Sequence, residues 1–255
     1  MTCDVPNPKR WFLALAMVAM LGVASTPAFA ASITVSMTVD NSYALFLGTH
    51  NAATSFIGSD GDWPSTETYS FDLPTDSYIY VVTASDLSVA QGFLAEFNNN
   101  TDGYTFYSND PQWQVMATGR RDPSVGGPTF GAPYSGSATD LALLSSEILD
   151  ANAGGNPSGG WVGLTEGPVN GSSPWGLRPG IDAAAHWVWY SSDGDPDPTS
   201  PGVDHDEWLV FRIAVAATPD VPVPDPTVTP VPEPATLLLT GAGLAAAIRR
   251  RRSRG

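Results

Sequence analysis

Apolar and polar residues alternate over much of the chain. From Ser32 to Val39, Ile33, Val35 and Met37 fall on one face and small polar residues on the other, a period of two that predicts a half-buried strand. Tyr43–Phe46 follows an Asp40-Asn41 turn signal. Further strands are predicted over Glu67–Leu73, Ser77–Thr83, Gly92–Phe97, Tyr104–Tyr107, Gln112–Thr118, His186–Tyr190 and Trp208–Val215. Helical spacing occurs at Thr139–Ala151, where Leu141, Leu144, Ile148 and Leu149 recur and Glu147 and Asp150 are expected outward. Trp187 and Trp189 stand two apart and are expected on one strand face. The segments 122–136 and 152–180 are dense in Gly, Pro and Ser and read as loops. Many short strands without a βαβ rhythm predict an all-β fold, an antiparallel β-sandwich or jelly roll.

The two ends follow other patterns. Lys9 and Arg10 precede an apolar run, Trp11–Val23, and Ala28-Phe29-Ala30 follows; this predicts a signal peptide over residues 1–30, cut by signal peptidase after Ala30. The sandwich domain is expected over residues 31–217. Residues 218–230 then form a proline-rich linker. From Thr218 to Pro234 there are seven prolines in seventeen residues, an extended stalk of about 50 Å. The tail, residues 231–255, opens with Val231, Pro232, Glu233 and Pro234, continues as an apolar run over 235–248 and closes on Arg249, Arg250, Arg251, Arg252 and Arg254. A helix over that run spans about 21 Å, short against a hydrocarbon core of about 30 Å. The arginines act as stop-transfer charges that stay on the cytoplasmic side. The run is therefore expected to be a short C-terminal transmembrane helix, with the body on the far side of the membrane.

Charge divides along the same lines. Of the 26 acidic residues only Asp4 and Glu233 lie outside residues 31–230, whereas of the 11 basic ones only Arg120, Arg121, Arg178 and Arg212 lie within that span. Such a surface repels nucleic acid. It suits divalent cations and neutral sugars, and it also simply keeps an exported protein soluble. The single cysteine, Cys3, lies in the leader, so the mature body has no disulfide to hold it.

Candidate chemistry is sparse. His50, His186 and His205 show no metal-ligand spacing, and no Gly-x-Ser-x-Gly elbow occurs, so no enzyme is expected. Asp193, Asp195 and Asp197 on one side of a loop and Asp204 and Asp206 on the other are candidate Ca²⁺ ligands, since that ion takes six to eight oxygens; a solvated acidic hairpin is the alternative. Trp63, Trp113, Trp161 and Trp175 lie in or beside loops. An indole face can stack on the C–H face of a sugar while carboxylates and amides hold its hydroxyls, or it can plug an end of the sandwich.

The tail resembles a PEP-CTERM sorting signal: Val231-Pro232-Glu233-Pro234, a short apolar helix and terminal arginines in that order. The resemblance implies recognition by an exosortase and a fate in the cell envelope, either membrane-anchored or released outside the cell after processing. The body resembles galactose-binding-like modules. The matching stretches are Thr38–Phe46, Gly61-Asp62-Trp63, Tyr69–Leu73, Tyr78–Val82, Gln91–Phe97, Asp110–Val115, Ala184–Trp189 and Trp208–Arg212. The resemblance departs at Leu47-Gly48-Thr49 and Thr75-Asp76-Ser77, both in loops. Its implication is non-catalytic binding of carbohydrate or exopolysaccharide, with Asp40, Asn41, Asp62, Trp63 and Trp113 as candidate contacts. A structural surface or matrix protein without a specific ligand is the second expectation, and a glycoside hydrolase the third.

Overall fold

The computed structural model describes residues 29–74, 76–85, 90–121, 134–202 and 207–215. They belong to one unit of the chain, Met1–Ala217; the second unit, Thr218–Gly255, contains none of them. Several expectations therefore lie outside the described residues: the leader up to residue 28, the linker 218–230, the tail 231–255 with its apolar run 235–248, and the candidate ligands Asp204 and Asp206. Among the described residues no helix is long and apolar enough to cross a membrane.

The described elements are β1 (Phe29–Asp40), β2 (Ser42–Thr49), β3 (Ala52–Asp60), β4 (Glu67–Pro74), β5 (Tyr78–Ala84), β6 (Gly92–Asn99), β7 (Tyr104–Tyr107), β8 (Gln114–Arg121), α1 (Ala138–Ala153), β9 (Thr165–Val169), β10 (His186–Trp189) and β11 (Glu207–Ala214). They form two antiparallel sheets. One has the order β4-β1-β6-β10-β9, with β7 also paired to β6; the other has the order β3-β2-β5-β11-β8. The chain passes from the first sheet to the second between Asp40 and Ser42.

The period of two explains how the sheets face each other. Ile33, Val35 and Met37 of β1 share one buried cluster with Leu45 of β2, Val81 of β5 and Phe211 of β11, so residues of both sheets fill one core between them. The intervening residues of the second sheet are apolar as well. Phe46, Tyr80, Val82, Met116 and Val210 form another buried cluster with Leu144, Ile148 and Ala151 of α1, which covers the outer face of that sheet. This is why β5 reads as an unbroken apolar run: it is buried from Ile79 to Ala84. On the outer face of the first sheet Leu94 and Trp187 pack with Trp175, Ile181 and Ala185. Gly92 permits that packing, because a Cβ there would lie 2.8 Å from Cε3 of Trp187.

Three local expectations change. Strands β3 and β9 lie where no strand is expected; both are edge strands with mixed burial, and β9 contains Gly167 and Pro168. Trp187 and Trp189 are both fully buried but on opposite faces, Trp187 in the outer cluster and Trp189 in the inner core. The register of β10 shifts between His186 and Val188, which breaks the alternation. In α1 the buried stripe is Leu144, Ile148 and Ala151, while Leu149 is 53% exposed. Glu147, expected outward, instead accepts a hydrogen bond from the Tyr134 hydroxyl at 2.6 Å and pairs with Arg120 Nε at 3.1 Å.

Candidate functional site

The loop residues singled out from the sequence fall into different environments. Trp113 is a core residue, 2% exposed; its ring packs against Phe93 and Phe97 and its Nε1 donates to Tyr107 O at 3.0 Å. It presents no face to a ligand. Asp40 is buried and its Oδ2 accepts from Trp175 Nε1 at 2.7 Å. Trp175 in turn stacks on Trp187, with centroids 4.2 Å apart and planes 19° apart. Asn41 accepts from the Ser85 hydroxyl at 3.2 Å. Asp62 is exposed and its backbone closes a turn with Ser65. Trp63 is half-buried beside the outer cluster, and the Arg178 guanidinium lies 5.2 Å from its ring centroid. That cation occupies a ring face that a sugar would need.

The acidic loop is held by local bonds. Ser191 Oγ donates to Asp193, Asp197 N donates to Asp195, and Thr199 Oγ1 donates to Asp197. Among the described residues no three acidic, histidine or cysteine side chains converge to hold a metal ion. Asp204 and Asp206, the other candidate ligands of this loop, lie outside the described residues.

A different set of residues converges. At the C-terminal end of α1, over the outer face of the second sheet, a cavity of about 490 Å³ opens between the helix and the strands. Arg212 of β11 and Gln114 of β8 line it from the sheet, Asn152 from the helix, His50 from the β2–β3 turn, and Trp161 from the loop after the helix. Alternation along β11 explains the position of Arg212. Leu209, Phe211 and Ile213 face the inner core, so Val210 and Arg212 share the helix-covered side.

Arg212 is 6% exposed. Its Nε donates to Gln114 Oε1 at 2.9 Å and its Nη1 to Asn152 Oδ1 at 3.0 Å. The guanidinium carbon lies 3.8 Å from the Trp161 ring centroid and 5.3 Å from that of Tyr78. Such contacts favour the delocalised guanidinium over a compact ammonium. Burial lowers the Arg212 pKa from its ordinary value, opposed by the neighbouring tyrosines, yet arginine starts so high that it stays charged. Burial likewise pushes the Tyr80 hydroxyl up to about 12, and that hydroxyl donates to Thr49 O at 2.6 Å.

Asn152 joins the parts. Its Oδ1 also accepts from Trp161 Nε1 at 2.9 Å, and its Nδ2 donates to His50 O at 2.9 Å. The loop that carries Trp161 is fixed by Asn156, whose side chain donates to Ala117 O and accepts from Gly160 N. Gly160 itself has φ of 121°, a backbone conformation that other residues rarely adopt. A cross-bridge between Val115 and Val162 then seals the edge of β8. The sequence carried a signal for this site. Arg212 interrupts the apolar run Trp208–Ile213, and a charge inside such a strand needs polar partners.

The described part of the chain is an antiparallel β-sandwich with one helix laid on its second sheet. Residues 230–252 match the PEP-CTERM protein-sorting motif. The motif implies export and sorting by an exosortase, with a membrane-anchored or secreted fate. No curated protein and no solved structure matches the chain.

Proposed function

We propose that this is an exported cell-envelope protein whose sandwich is galactose-binding-like and binds carbohydrate or exopolysaccharide without catalysis. The observation that carries the reading is the open polar cavity at Arg212. Its lining supplies guanidinium, imidazole, and two carboxamides beside an indole, a donor and acceptor set suited to hydroxyl groups. The order of the strand motifs, from Thr38–Phe46 to Trp208–Arg212, supports the galactose-binding-like type. The role is non-catalytic in this reading, and a reducing-sugar release assay with the same saccharides tests it. In this reading the sugar contacts are Arg212, Asn152 and His50 rather than Trp63 and Trp113. In envelope terms, exosortase and signal peptidase are the processing partners, and the tail carries the protein to the membrane.

The test is a glycan-binding screen with the full chain, followed by titration of hits. Binding that is lost in Asn152→Ala, in a protein whose melting temperature is unchanged, supports the reading. Absence of binding to any saccharide at millimolar concentration leaves a structural surface protein as the better description.

A further inference from the structure

The Arg212 cavity is segregated by charge as well as lined by polar groups. Residues 31–230 carry nearly all the acidic residues of the chain and only four basic ones. One of those four is buried in this cavity, a histidine lies on its rim, and no carboxylate lines it. Among the described residues Arg212 makes no ion pair; its acceptors are the neutral oxygens of Gln114 and Asn152, with the Tyr80 hydroxyl beside them. A guanidinium carries five N–H donors, and these neutral contacts bring it no negative charge. A buried cation without an anionic partner is costly, and the usual remedy is a paired carboxylate.

The helix end does not supply the missing charge in full. The C-terminus of α1 does turn its negative end toward the cavity, which favours a cation. Two of its last four carbonyls, however, are already bonded: Gly154 N donates to Ala151 O at 3.1 Å and Gly155 N to Asp150 O at 2.9 Å. Trp161 covers one face of the guanidinium, so a ligand approaches along its edge, where an arginine fork matches the two oxygens of a carboxylate.

Resting on the carbohydrate reading above, we infer that this cavity selects an acidic sugar and takes the carboxylate of a uronic acid residue on Arg212, with Asn152 and His50 placed to meet its ring hydroxyls.

The experiment uses the full chain in a detergent that carries no sugar headgroup. Oligomers of galacturonate and glucuronate are titrated against the neutral galactose and glucose oligomers, with tryptophan fluorescence and calorimetry as readouts. The uronates should bind tighter by on the order of ten- to a hundredfold, the range of one charge-assisted hydrogen-bonded contact. Methyl esterification of the uronate and the substitution Arg212→Gln should each remove that advantage. Because Arg212→Gln perturbs a buried position, the acid-against-ester comparison on the unmodified protein decides the matter if the variant melts early. Equal affinity for acidic and neutral oligomers overturns the inference and leaves the carbohydrate reading in place. Failure of every saccharide to bind overturns both.

Discussion

The indole Nε1 of Trp175 donates to Oδ2 of Asp40 across 2.7 Å, joining residues 135 positions apart, and both are buried. The bond ties the end of β1 to the loop that covers the outer face of the first sheet. Asp40→Ala strands a buried N–H and should cost about 1–3 kcal/mol of stability. Asp40→Asn keeps an acceptor oxygen and should cost less. Thermal unfolding followed by tryptophan fluorescence checks the ranking; equal melting temperatures for wild type and Asp40→Ala would show that the bond contributes nothing.

Asp40 also shows what the sequence could and could not disclose. Strands whose burial alternates, such as β1 and β4, are legible because one face meets the core and the other meets solvent. Strand β7 is read at its observed bounds, Tyr104–Tyr107, between a turn and an aromatic core. Strands β3 and β9 are not legible, since their burial is mixed and neither keeps a clean period of two. The candidate sugar contacts are residue types that suit both a ligand and a core. Only long-range packing separates them: Trp113 ends among Phe93 and Phe97, and Asp40 ends under Trp175. Arg212, Asn152 and Trp161 lie on three separate elements, and their convergence depends on how α1 docks on the second sheet.

Trp113 and Trp63 should respond differently to truncation. Trp113→Ala empties a fully buried site in the inner core and should cost about 3–5 kcal/mol. Trp63→Ala removes a half-buried ring capped by Arg178 and should cost clearly less. Neither change should remove saccharide binding in protein that remains folded. Loss of binding in folded Trp63→Ala protein would return the site to the first sheet.

Residues 31–217 should fold when produced alone. Among the described residues the inner core runs from Ala31 to Val215, all of it inside this segment. Far-UV circular dichroism should show mainly strand with the contribution of one helix. Unfolding should be cooperative and indifferent to reductant, because Cys3 is absent from this segment.

Glu147 sets a pH dependence with a definite sign. Burial raises its pKa above the ordinary 4.5, against the lowering effect of the Tyr134 hydroxyl and of Arg120. The folded protein therefore holds this proton to higher pH than the unfolded chain does. The associated stability is fully present below the unfolded pKa and is lost as pH rises through the folded one. Glu147→Gln should remove that contribution. The difference in melting temperature between wild type and variant should move against the wild type as pH rises from about 4. A difference that stays flat across the acid range would mean that Glu147 titrates as an ordinary surface carboxylate.

The sorting tail makes the last prediction, with two separable parts. The apolar run 235–248 is short for a bilayer, so its retention depends on the arginines that stop it from passing through. Replacing Arg249, Arg250, Arg251 and Arg252 with serine should shift the protein from the membrane fraction toward the soluble one. The residues Pro232, Glu233 and Pro234 lie inside the matched sorting motif but outside the apolar run. Replacing these three with alanine should leave membrane insertion intact and block exosortase processing, so that the unprocessed chain accumulates in the membrane. Truncation after Pro230 should release the sandwich altogether. Fractionation of native cells followed by immunoblotting reads all three. If the arginine and Pro-Glu-Pro variants have the same phenotype, anchoring and recognition are one function of the tail; if neither differs from wild type, the matched motif does not direct this protein.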